Sequence, residues 1–105
     1  MIEDFSAGYY SVHVETYTLK SGPALYRTTY DYIREELYDD SDAPLIVSFS
    51  VNASQFIEPH GQAAMPARSI GLPQSMWHSL GRDPEDGPMT LFILKPDYAY
   101  LFIQY

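Results

Sequence analysis

Residues 68–93 read RSIGLPQSMWHSLGRDPEDGPMTLFI, and this stretch decides how the fold is punctuated. A short β-type run, Arg68 to Leu72, is stopped by Pro73, whose missing N–H and fixed φ suit the first position of a helix. The helix carries Met76, Trp77 and Leu80. Met76 and Leu80 are four apart and share the face expected to turn inward. Gly81 reads as its left-handed stop. Asp86-Gly87 is a turn signal, and Met89 to Ile93 has strand composition. The order is strand, short helix, acidic turn, strand.

Working outward, the N-terminal side opens with an acidic lead, a Ser6-Ala7-Gly8 break and an alternating strand. Tyr10, Val12 and Val14 lie on one face; Tyr9, Ser11, His13 and Glu15 lie on the other. Ser21-Gly22-Pro23 is a turn from which Ala24-Leu25-Tyr26 can return as a hairpin strand. Thr28 or Thr29 is placed to cap a helix running to about Tyr38, with Tyr30, Ile33 and Leu37 as its apolar stripe. Pro44 to Val51 reads as a strand with Leu45, Val47, Phe49 and Val51 on one face, and Phe56-Ile57 as a short one. Asn52-Ala53-Ser54 matches a glycosylation triplet but reads as a turn.

On the C-terminal side, Lys95-Pro96-Asp97 predicts a tight turn into a last strand, Tyr98 to Tyr105. There Tyr98, Tyr100, Phe102 and Gln104 oppose Ala99, Leu101, Ile103 and Tyr105. Large apolar groups on both faces predict a strand that is central or covered by a partner. The chain of 105 residues is expected to form one domain. The fold class expected is α+β: a small β-dominated sheet or barrel of about six strands with two short helices.

Fourteen acidic residues against six basic ones give a formal charge of −8. Such a balance repels nucleic acid and anionic membranes. Only Lys20 and Lys95 are lysines, and a lysine-poor, carboxylate-rich surface predicts a protein adapted to high salt. The absence of cysteine excludes disulfides and thiolate metal sites. No apolar run reaches membrane-spanning length and no signal peptide is visible. The expected location is cytoplasmic, or incorporated in a virion.

Two resemblances accompany this reading. Glu3, Phe5, Ser6, Gly8, Tyr9 and Tyr10, followed by Glu36-Leu37-Tyr38, Ala43-Pro44-Leu45 and Leu72-Pro73, resemble a family of small haloarchaeal proteins of unknown function. That likeness implies a haloarchaeal or haloarchaeal-virus origin and brings no activity with it. More locally, Arg68, Ile70, Leu72, Pro73, Met76, Leu80, Gly81, Asp86 and Gly87 resemble the swapped-hairpin domain of AbrB/SpoVT-type regulators and antitoxins. The segment after Gly81 is longer than that family's connection, and Pro88 stands where its strand begins. The resemblance implies a DNA-binding regulator, with Arg68, Arg82 and Lys95 as its nucleic-acid contacts.

No constellation of residues marks an enzyme. His13, His60 and His78 are too scattered to pair by spacing, Asp39-Asp40-Ser41-Asp42 lacks the spacing and glycine of a calcium loop, and no serine sits in a nucleophile elbow. No catalytic residue, metal or cofactor is expected. The aromatic content points instead to adhesive surfaces: ten tyrosines, five phenylalanines and one tryptophan. Tyr9, Tyr10, Trp77, Tyr98, Tyr100, Phe102 and Tyr105 are the candidate anchors for a protein partner. The function expected is non-enzymatic assembly, as a subunit of an oligomer or of a larger particle; the alternative is the DNA-binding regulator.

Overall fold

The computed structural model describes residues 2–6, 8–39, 41–51 and 55–103. It shows a curled, mixed sheet of seven strands with short helices, the small β-dominated α+β fold expected. The strands are β1 (Glu3–Asp4), β2 (Tyr9–Thr18), β3 (Ala24–Tyr26), β4 (Val47–Ser48), β5 (His60–Gln62), β6 (Ser69–Leu72) and β7 (Met89–Leu94). Their order is β4-β7-β2-β6-β3-β5, with β1 added to β2. The helices are α1 (Arg27–Tyr32), α2 (Gln74–Ser79) and α3 (Pro96–Ala99).

The ten residues of β2 hold the sheet together. Its first half runs antiparallel to β7, Tyr9 opposite Leu94 through Val14 opposite Met89. Its second half runs parallel to β6, Glu15 opposite Ser69 through Thr18 opposite Leu72. Val12 and Val14 alternate inward as the pattern requires, and His13 and Glu15 stay exposed. The strand, helix, strand unit of residues 69–94 therefore straddles β2 and places one of its strands on each side.

Around that unit the sequence reading holds closely. Pro73 is extended (ψ 152°) and precedes α2 rather than opening it, one position earlier than its ring suggested. Gly81 takes φ 68° and Gly87 φ 98°, backbone conformations that glycine adopts without a Cβ clash. A 3₁₀ turn, Pro84–Asp86, is capped where the Asp83 side chain accepts from the Glu85 amide. Trp77 is wholly buried, stacks 5.6 Å from Phe49 and donates its indole N–H to the Tyr17 carbonyl. It thereby pins α2 to β2.

Several expectations are corrected. The turn at residues 21–23 does not close a hairpin: β3 pairs antiparallel with β6, which lies between it and β2. Two glycines permit this arrangement, since a Cβ on Gly22 would lie 2.6 Å from the Gly71 carbonyl oxygen. The first helix starts at Arg27 without a threonine cap, and widens over Ile33–Leu37 into a π-type turn closed by the Tyr38 amide on the Ile33 carbonyl. Only Val47–Ser48 of the long run after Pro44 joins a ladder. Leu45 through Phe49 are all buried, the signature of a segment covered on both sides. The triplet 52–54 and Asp40 lie outside the described residues.

The largest correction concerns the C-terminus. Residues after Lys95 form α3 and then a 3₁₀ turn, Tyr100–Ile103, not a strand. Pro96 stands at the first helical turn with Asp97 beside it, and the Lys95 carbonyl accepts from both Tyr98 and Ala99 amides at 2.9 Å. A proline in helical φ and an acid in the first turn favour a helix start. Local capping here outweighs the period-two alternation, and the edge of β7 is already taken by β4. Gln104 and Tyr105 lie outside the described residues.

Candidate functional site

Two regions present chemistry at the surface. The first is an aromatic end built from β1, the start of β2, the end of β7 and α3. Phe5 packs edge-on to Phe92 at 5.0 Å, and Tyr9 to the same ring at 6.1 Å. The Lys95 amide donates to the Gly8 carbonyl, which holds α3 against the first turn of the chain. Tyr98 lies over Gly8, where an added Cβ would meet its ring at an ordinary 3.8 Å. Phe5 stays 53% exposed, Tyr98 44% and Leu101 54%. Large apolar side chains therefore stand in water together at this end.

The anchors expected from sequence divide accordingly. Tyr98 and Tyr100 are exposed, as a docking role needs. Tyr9 is half-buried and its hydroxyl donates to the Val51 carbonyl at 3.2 Å. Tyr10 is half-buried beneath the Lys95 ammonium, 5.1 Å from the ring centre. Trp77 has no exposed surface and is a core residue instead of a surface anchor. Phe102 lies in the terminal 3₁₀ turn, and Tyr105 is outside the described residues. Phe5 and Phe92 meet at this end and Leu101 follows α3; the sequence does not announce Phe5, because the two-residue β1 before it is too short to show a period.

The three cations proposed for nucleic acid do not gather. Lys95 pairs with Asp4 at 3.0 Å at the Gly8 end of β2. The Arg68 carbonyl is bonded to the Glu15 amide near the middle of β2, about 20 Å further along at ~3.3 Å per residue. Arg82 donates to the Phe49 carbonyl and lies 5.7 Å from the Phe49 ring centre.

The second region is a cleft of about 410 Å³. Along one edge of β2, β1 pairs with Tyr10 and Ser11 and β6 takes over at Glu15. Val12, His13 and Val14 fall between these two ladders, and the cleft opens there. Ile2, Val12 and Val14 supply apolar lining, and Tyr26, Thr28, Thr29 and Tyr32 come from β3 and α1. Ala67 and Arg68 complete it.

Among the described residues no group of three or more His, Asp or Glu is placed to hold a metal ion, and no helix is long and apolar enough to cross a membrane. In the core the Tyr38 hydroxyl donates to the Leu94 carbonyl at 2.5 Å. Burial pushes its pKa up to about 12, opposed by the hydrogen bond with the Ile46 backbone and by Arg34. That is a structural tyrosine in the core. No family model, curated protein or solved structure matches this chain.

Proposed function

We propose that this chain is a non-enzymatic assembly protein that associates with further copies of itself through its aromatic end. The observation that carries this reading is the exposure of Phe5, Tyr98 and Leu101 at one end of the molecule. Large apolar side chains grouped at a surface gain by burial against a partner, and aromatic ones are enriched at protein interfaces. The formal charge of −8 disfavours a polyanionic partner, and it also sets the salt response. Like-charged copies repel in dilute salt, and molar salt screens that repulsion while leaving apolar contact intact. A high-salt setting, the cytoplasm of a halophilic archaeon or the virion of its virus, is where such a surface assembles.

The alternative, an AbrB-like regulator, draws on the strand, helix, strand order of residues 69–94. Against it stand the dispersed cations: Lys95 is neutralised by Asp4 and Arg82 is turned onto Phe49. Electrostatic footprints on DNA need basic groups on one face. Light scattering in molar KCl, with and without short duplex DNA, decides between the readings. The expected result is an oligomer whose mass is unchanged by DNA and falls in dilute salt. A dimer that shifts onto DNA would establish the regulator instead, and a monomer indifferent to both would end the self-assembly reading.

A further inference from the structure

The cleft between the two ladders on β2 shares β1 with the aromatic end but has chemistry of its own. Its apolar lining combines Ile2, Tyr26 and Tyr32 with the nearly buried Val12 and Val14, and its polar residues include His13, Thr28, Thr29 and Arg68. At about 410 Å³ it falls within the range of small-molecule sites, which are mostly apolar with a few placed polar groups.

Arg68 is the distinctive member. The other three arginines are engaged: Arg27 donates to the Gly61 carbonyl, Arg34 to the Ser41 and Ala43 carbonyls, and Arg82 to the Phe49 carbonyl. Among the described residues the Arg68 guanidinium has neither a hydrogen bond nor an ion pair, in a chain with fourteen carboxylates. Its backbone takes φ 58°, a left-handed conformation that suits Gly or Asn far better than a long side chain. The bond from the Glu15 amide to the Arg68 carbonyl, at 2.9 Å, fixes that backbone at the start of β6. The result is an exposed, unpaired cation whose backbone is anchored beside an apolar recess.

We infer that the gap between β1 and β6 is a binding cleft for a small organic carboxylate, its apolar body against Ile2, Tyr26 and Tyr32 and its head on Arg68. A planar guanidinium matches a carboxylate through two parallel N–H donors. A single cation matches a monoanion. A phosphate dianion would need more positive charge than this acidic molecule brings to the site.

Phenylacetate, phenylbutyrate and octanoate, each with its uncharged amide, test this by titration against amide NMR spectra in salt where the chain is folded. The expected result is that at least one carboxylate saturates shifts at Val12–Val14 and Ala67–Ser69. Its amide should bind at least about tenfold more weakly, as loss of a charge-assisted pair predicts. Arg68→Gln should weaken the carboxylate by a similar factor and leave the amide unchanged, and Arg68→Lys should recover part of the loss. Ala67→Phe, which fills the recess but keeps the cation, should block acid and amide alike and serves if Arg68→Gln perturbs the fold. The inference is overturned if no carboxylate moves these resonances, if acid and amide bind equally, or if the shifts fall at Phe5 and Tyr98 instead. Oligomer mass in KCl is read separately, so failure here leaves the assembly reading standing.

Discussion

The same kind of side chain meets two fates in this molecule. Under α2, aromatic groups are buried and tied: Trp77 to the Tyr17 carbonyl and against Phe49, with Tyr38 on the Leu94 carbonyl elsewhere in the core. At the other end Phe5, Tyr98 and Tyr100 reach similar size and stay in water. The difference lies in what surrounds them. Trp77 belongs to a unit whose two strands flank β2 and packs against Phe49, whereas Phe5 follows two-residue β1 and Tyr98 sits in four-residue α3, which cover little. Composition states how many aromatics there are, and topology decides which become core and which stay in water.

The sharpest way to break this contrast is Trp77→Ala. It removes the largest buried side chain and leaves the Tyr17 carbonyl without its donor, so a loss of about 3–5 kcal/mol in denaturant-measured stability is expected. A loss below about 1 kcal/mol would show that α2 is not part of the core. Alkaline pH comes next. Folding raises the Tyr38 pKa from 10.0 to about 12, so the folded state holds that proton more tightly. Its contribution is complete below pH 10.0 and declines as pH rises towards about 12, a fall of roughly 3 kcal/mol for a shift of that size. Tyr38→Phe should cost about 1–2 kcal/mol at neutral pH and flatten that alkaline limb in urea titrations monitored by circular dichroism.

At the exposed end the expectations reverse. Phe5→Ala combined with Tyr98→Ala should change monomer stability by less than about 1 kcal/mol, yet collapse the oligomer mass in molar KCl. Unchanged mass would move the contact surface elsewhere. The smallest effect belongs to Asp4→Asn. The Asp4–Lys95 pair is largely exposed on its acidic side, so its removal should cost between about 0 and 1 kcal/mol, less still in high salt.

Much of the fold was legible where pattern and punctuation agreed. The alternation of β2, the proline and glycine bracketing α2, and the apolar run of β7 are local signals, and each element stands where they put it. What escaped was pairing at long range. Nothing in residues 19–26 announces that β6 will insert between β2 and β3, since that choice depends on Gly22 and Gly71 meeting across the sheet. In the alternating run that begins at Tyr98, Pro96 as a helix start outweighs the period-two pattern as far as Ile103. Of the candidate anchors, Tyr98 and Tyr100 are exposed and Trp77 is buried, a division that residue type alone does not make. The cleft was not legible in the sequence, because it consists of the interval between two ladders on one strand, and Arg68 acquires its role only from that register.

The position of β2 also bears on how the chain comes into being. Apart from the two-residue β1, its partners begin at Ser69 and end at Leu94, so most of this strand waits for residues far along the chain before it can pair. Contacts of such sequence separation form late and slow folding. During synthesis Val12, Val14 and the tyrosines beside them emerge from the ribosome with no sheet to enter, as apolar surface open to chaperones and to other nascent copies. The order in which the protein is made thus runs against the order in which it can be built, and completion of the last third releases the first.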